Sequence, residues 1–401
     1  MGIANETSTS PRRRYRGARR ALVATGAVVV AIVAGGFALT AALGMKNPVF
    51  LVRFLFTPRS EVEVLYDTRK ISASPHPRPI PEQLQPLSQT VPWKGRNEDI
   101  LRVLRETETN VFLVMCHGTL VNEWYSEPGK KTSRESSWSI AKSVVSILIG
   151  QLIGEGKLSE NTKLVAALPE FAIGGKFDEI TVKDLLDMKS GIDMSEDYAE
   201  YKPFTGVAGM QVTADLHAFL MKNRALAFAT GSRSEYRSVD TQYLSMIVAR
   251  IEGEPLAKVL EHRLWHPLGA EDDASWNLDH ADGIERGFGN LNATPRDFAK
   301  LGLLALAGGK VGEQTLISPA WMARITTPVA EAEPGWMYAA QWWHPPGHEK
   351  NGDYTAIGVY GQYVYVNPKH HAVVTKLSDY GAQQDEAELI DVFRSVVDGC
   401  H

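Results

Sequence analysis

Residues 136–153 constrain the fold more than any other stretch: Ser136-Ser137-Trp138-Ser139-Ile140-Ala141-Lys142-Ser143, then an apolar run from Val144 to Ile153. Wound at about 3.6 residues per turn, Ile140, Ala141, Val144, Val145, Ile147, Leu148, Ile149, Leu152 and Ile153 cover nearly every face, so this helix must be buried. Its first turn nevertheless carries Ser139 and Lys142, three apart and therefore on one face. A hydroxyl and an amine at the mouth of a buried helix cost free energy unless something uses them. A serine hydroxyl is a weak nucleophile until a neighbouring base takes its proton, and lysine serves as that base when burial lowers its pKa. The backbone N–H of Ser139 at the helix start is a natural donor to an oxyanion.

A second chemical candidate is Tyr236-Arg237-Ser238, in a loop just before a helix. A tyrosine held near a lysine can move a proton between nucleophile and leaving group, and Ser238 would hydrogen-bond the lysine. Tyr243 and Tyr365 sit in similar triplets, but within a helix and a strand. Only Tyr236 has a loop setting from which a side chain reaches a cleft.

The rest of the chain predicts where these pieces belong. Val111–Cys116 and Leu120–Tyr125 read as a hairpin turned at His117-Gly118. Asn97–Glu106, Thr181–Met188, Asp240–Gly253, Pro255–Leu264, Thr294–Leu306, Ser318–Ile325 and Gln384–Val397 read as helices. Strands are expected at Tyr338–Trp343, Tyr354–Gly358, Tyr360–Val366 and Ala372–Leu377. Strands at both ends with helices between them imply an α+β fold, an antiparallel sheet made by the two ends and flanked by helices. The expected organisation is an α/β domain from 93–157 plus 286–401 and an inserted, mostly helical domain at 158–285.

Five motifs, in order along about 93–400, resemble the serine hydrolases related to class C β-lactamases, and within them the 6-aminohexanoate-dimer hydrolases. They are Trp138–Ser143, Ile180–Gly191, Tyr236–Ser238 with Asp240–Leu244, Ala293–Asp297 and Gly358–Gln362. The resemblance implies a β-lactamase/transpeptidase-like fold, Ser139 as nucleophile, Lys142 as its partner, Tyr236 as the proton-transferring group, and Ser238 where the β-lactamases carry asparagine. It further implies Gly358 beside the substrate, the N–H of Val359 as second oxyanion donor, and Tyr198 as a substrate contact; Trp138, next to the nucleophile, would wall the cleft. The Lys-Thr-Gly motif of β-lactamases is replaced by Ala356-Ile357-Gly358, so the lysine that steadies a β-lactam carboxylate is missing. The implied reaction is hydrolysis of small amides or esters through an acyl-enzyme. The alternatives are D-alanyl-peptidase or β-lactamase-like action on cell-wall-type substrates, and a non-catalytic membrane-anchored binding protein.

Composition bounds the remainder. Six arginines and one glutamate give residues 1–20 a charge of +5, leaving −10 on the rest of a chain whose total is −5. An acidic body offers no footprint for nucleic acid. The arginines, a basic cytoplasmic tail, precede Ala21–Gly44, 24 residues without a charge, which at 1.5 Å per residue span about 36 Å against a hydrocarbon core of roughly 30 Å. This predicts a single-pass transmembrane helix with the catalytic body extracytoplasmic, or a secreted body if the segment is cleaved. Residues 45–92, rich in proline from Pro75 on, are expected to form a membrane-proximal segment and linker, with the folded body beginning near Trp93. Cys116 and Cys400, the only cysteines, are too few for a disulfide framework, and Cys116 reads as a buried small residue. His344, His348, His370 and His371 lack a metal-ligand spacing, there is no Gly-x-Ser-x-Gly elbow, and nothing calls for a metal or cofactor. An acidic stretch, Glu196, Asp197 and Glu200, would suit a substrate carrying an amine.

Overall fold

The computed structural model describes residues 11–87, 89–196, 206–381 and 385–400, with the backbone alone for 11–24, 26 and 27. Its centre is an eight-stranded antiparallel sheet. The strands in chain order are β1 (Thr109–Cys116), β2 (Thr119–Tyr125), β3 (Ala330–Glu333), β4 (Trp336–Ala339), β5 (Trp342–His344), β6 (Tyr354–Gly358), β7 (Gln362–Asn367) and β8 (Ala372–Ser378). Their order across the sheet is β3-β4-β5-β6-β7-β8-β1-β2, so the first two strands join the last through Leu113↔Thr375 and neighbouring pairs. Both chain ends therefore build one sheet, as expected.

The named helices are α1 (Pro11–Ala42), α2 (Ile140–Gly154), α3 (Ser238–Glu252), α4 (Pro295–Leu306) and α5 (Glu386–Val397). β1 is buried on both faces because helices cover both. Leu113, Val364 and Val373 face a core shared with Ile147 of α2 and Leu301 of α4. The alternate residues Phe112, Tyr363, Tyr365 and Val374 pack on Phe393 and Leu389 of α5. Gly302 lets α4 close on the sheet, since a Cβ there would lie 2.5 Å from Val373.

Three features depart from the expected pattern. Tyr338–Trp343 is a hairpin rather than one strand, because Ala340 and Gln341 both adopt left-handed backbone at φ 45° and 68°. The buried Gln341 amide holds that turn by donating to Leu185 O at 2.9 Å and accepting from Thr241 Oγ1 at 2.5 Å, while its carbonyl accepts from Ser143 Oγ at 2.7 Å. The body also begins well before Trp93: Thr68–Ile71 pairs with Ala274–Asn277, and the Ser60 N–H donates to Asp379 at 2.7 Å. Finally, Cys116 is not a free buried residue. It is bonded to Cys400 with Cα atoms 5.4 Å apart, tying the chain after α5 to the end of β1 across 284 residues.

The expected membrane span falls within α1, yet among the described residues no helix is long and apolar enough to cross a membrane. Met45 bridges Thr213, and the Lys46 N–H donates to Val212 O at 2.7 Å, which fastens the chain after α1 to the inserted helices.

Candidate active site

The site is built at the start of α2. Trp138 adopts left-handed backbone at φ 45°, a conformation that costs a bulky residue about 1 kcal/mol or more and persists only where neighbours impose it. They do: Trp138 Nε1 donates to Arg59 O at 2.9 Å, and its ring meets Tyr360 edge-on at 4.8 Å. Before it, Ser137 exchanges bonds with Leu291, N–H to O at 2.7 Å and N–H of Leu291 to Oγ at 3.1 Å. This clamp sets Ser139 at the helix N-cap. The tryptophan expected to wall the cleft is only 3% exposed and serves as an anchor beneath it.

One turn on, Lys142 Nζ lies 2.8 Å from Ser139 Oγ and donates to Phe288 O at 2.6 Å. The lysine is 1% exposed, and burial pushes its pKa down from the ordinary lysine value, opposed by the charge of Glu196. Tyr236 covers the pair, its ring 5.2 Å from Lys142 Nζ. Burial holds that phenol well above its ordinary value, with Tyr338 and Glu196 adding to the shift. The ring packs on Trp343 at 5.1 Å and edge-on to Tyr338 at 6.1 Å. Groups nearly one hundred residues apart in sequence thus meet around one lysine.

Ser238 opens α3 and is fully buried. Its hydroxyl, expected to bond Lys142, donates instead to Glu196 Oε2 at 2.9 Å, and its N–H donates to Glu196 Oε1 at 2.5 Å. Glu196 therefore satisfies a free N–H at the N-terminus of α3, whose own N-cap residue Arg237 supplies no side-chain acceptor. Burial raises the Glu196 carboxyl above the ordinary carboxylate range despite the nearby Lys142 charge. Sequence reasoning assigned this glutamate to the substrate side. No local pattern identifies a carboxylate that caps a helix beginning forty-two residues later.

On the opposite side β6 closes against Ser139. A Cβ at Gly358 would lie 2.5 Å from Ser137 O and 3.0 Å from Ser139 N, so only glycine permits the approach. Neither the Ser139 N–H nor the Val359 N–H has an acceptor among the described residues. An N–H at the start of α2 and one just after β6, each without an acceptor among the described residues, can receive an oxygen that gains negative charge. Tyr198 lies outside the described residues. Among those described, no group of His, Cys, Asp and Glu side chains is arranged to hold a metal ion.

The β-lactamase family profile matches residues 102–392. The 6-aminohexanoate-dimer hydrolase of Paenarthrobacter ureafaciens is 30% identical over 304 residues, covering 71% of this chain and 76% of that protein. A solved structure from Bacillus anthracis named for the 6-aminohexanoate-dimer hydrolases superposes with a TM-score of 0.77 at 22% identity, over 88% of this chain and 95% of that one. EstCE1, a hydrolase with promiscuous acyltransferase activity, shares the fold with a TM-score of 0.61 at 17% identity, over 74% of this chain and 96% of its own.

Proposed function

We propose that this chain, which belongs to the β-lactamase family and is a serine hydrolase related to 6-aminohexanoate-dimer hydrolase, hydrolyses small amides and esters through an acyl-enzyme on Ser139. The observation that carries the reading is the 2.8 Å contact between Ser139 Oγ and a lysine whose burial holds its ammonium well below the ordinary lysine value. Lys142 takes the Ser139 proton as Oγ attacks the substrate carbonyl. The N–H groups of Ser139 and Val359 receive the oxyanion. Tyr236, whose phenol stays protonated, is suited to donor rather than base; it hands its proton to the departing amine or alkoxide and is reprotonated from Lys142. Water then attacks the ester carbonyl by the same route, and the acid leaves with Ser139 restored.

With Ala356 where β-lactamases carry the lysine of their third motif, the site has no cation there to hold a β-lactam carboxylate. Small amides and esters are the fitting substrates. Labelling by a fluorophosphonate that is lost in Ser139→Ala, together with turnover of a p-nitrophenyl ester and of 6-aminohexanoate dimer, tests the reading. An unlabelled wild-type protein without esterase or amidase activity at any pH sinks it.

We further propose that the body lies outside the cytoplasm. The Cys116–Cys400 bond supports an oxidising compartment. The arginines before an uncharged run, with Val28, Ile32, Leu55 and Phe56 exposed, support attachment to a membrane. Fractionation of the full chain between membrane and soluble phases checks this.

A further inference from the structure

Lys376 is a buried lysine for which the acyl-transfer steps have no use. It stands on β8 opposite Tyr363 of β7, with none of its surface exposed. No carboxylate among the described residues pairs with it, and burial alone holds its ammonium down to about 7. A lysine kept in such a place costs free energy unless its donors are used. They are used at one point: Nζ lies 2.8 Å from Ser378 Oγ and 3.4 Å from Gly361 O.

Ser378 Oγ lies in turn 2.7 Å from Gly361 O and 3.0 Å from Tyr360 O. A serine has one proton. If that proton goes to these carbonyls, the Ser378 oxygen must accept, and Lys376 is the donor that fixes its direction. Gln362 completes the clasp, donating from Nε2 to Tyr360 O at 3.0 Å and to Ser378 O at 2.6 Å. The segment so held is the turn between β6 and β7, Val359-Tyr360-Gly361. Tyr360 and Gly361 both adopt left-handed backbone at φ 69° and 81°, a conformation a tyrosine does not keep unaided. A Cβ at Gly361 would lie 2.5 Å from Ser378 Oγ and 3.1 Å from Lys376 Nζ, so the clasp sits directly against the turn.

That turn begins with the Val359 N–H and carries the Tyr360 ring that packs on Trp138, the residue before the nucleophile. We propose that Lys376, through Ser378, is a positioning residue for the acyl-transfer site: it fixes the 359–361 turn and so aims the Val359 N–H at the oxyanion. The proposal rests on the acyl-enzyme reading and adds to it a residue that never touches substrate. Its effect belongs to the tetrahedral state, because the donor it aims is worth most when the carbonyl oxygen carries charge.

The test uses the full chain and three variants. Lys376→Met keeps the side-chain length and removes the donors. The expected result is a fall in kcat/KM for p-nitrophenyl acetate of roughly 10- to 100-fold, the scale of a misplaced catalytic group. The inhibition constant for phenylboronic acid, which forms a tetrahedral adduct on an active-site serine, should rise by the same factor. A merely structural lysine would lower the amount of active protein and leave that constant unchanged, which overturns the proposal, as does unchanged kcat/KM. Should Lys376→Met fail to fold, Ser378→Ala, which deletes one hydroxyl, must give the same paired change or the proposal falls. Failure of the acyl-enzyme reading is seen separately, as activity that survives Ser139→Ala with Lys376 intact.

Discussion

Glu196 caps the helix that begins at Ser238, accepting from its N–H at 2.5 Å and its hydroxyl at 2.9 Å, and so carries a carboxylate to the edge of the Ser139–Lys142 pair. This contact links the start of α3 to the basicity of the lysine. It also explains why Ser238 need not touch Lys142: the hydroxyl orients the acid, and the acid acts through its charge.

Replacing Glu196 by Gln removes a carboxyl whose charge, when it is ionised, raises the Lys142 pKa. Activity that requires neutral Lys142 rises with pH through that pKa, which burial sets below the ordinary lysine value. In Glu196→Gln the rising limb of kcat/KM should therefore move to lower pH. The helix also loses a charge at its N-terminus, worth about 0.3–1 kcal/mol. A pH–rate profile and a urea titration check both, and a limb that moves to higher pH refutes the assignment.

Tyr236→Phe keeps the ring against Trp343 and Lys142 but loses the proton. An amide leaving group must be protonated to depart, whereas p-nitrophenolate leaves as an anion. The loss should be about 10²–10⁴-fold on an amide and much smaller on a p-nitrophenyl ester. Equal losses on the two substrates would mean that the hydroxyl serves another step.

Gly358→Ala forces a methyl to 2.5 Å from Ser137 O and 3.0 Å from Ser139 N. Backbone must shift on one side or the other, and overpacking of this kind costs about 1–3 kcal/mol. Because the displaced N–H is the proposed oxyanion donor, kcat should fall by about 10²-fold or more in protein that still melts cooperatively. Retained kcat would place the oxyanion elsewhere.

Cys400→Ser releases the chain after α5 from β1. A bond closing so long a loop constrains the unfolded chain, and its loss should cost about 2–5 kcal/mol in denaturant. Turnover per folded molecule should stay as it was. Guanidinium titration of oxidised and reduced wild type gives the same comparison without a substitution.

The parts of the site legible in the sequence are those whose geometry is local. Ser139 and Lys142 share a helical face by their spacing alone, and the apolar residues after them require burial. Tyr236 stood out because a loop before a helix can reach a cleft. The glycine at 358 came from motif order, and the reason for it, the Ser137 carbonyl at 2.5 Å, came only with the neighbouring strand in place. The turn at Ala340–Gln341 was missed because its local sequence continues a strand, and four hydrogen-bond partners on other elements override it.

By itself, the sequence determined that a buried helix begins with a hydroxyl and an amine one turn apart, and that the two chain ends supply strands to one sheet. Periodicity and burial depend on neighbours a few residues away, and both are written locally. Tertiary structure alone decided that Glu196 reaches Ser238, that Cys116 meets Cys400 and that Lys376 lies behind the Val359 turn. Each of these brings together groups whose separation along the chain carries no signal. What fixes them is the closing of long loops by the packed sheet, where a buried charge or a free N–H takes whichever partner the fold delivers.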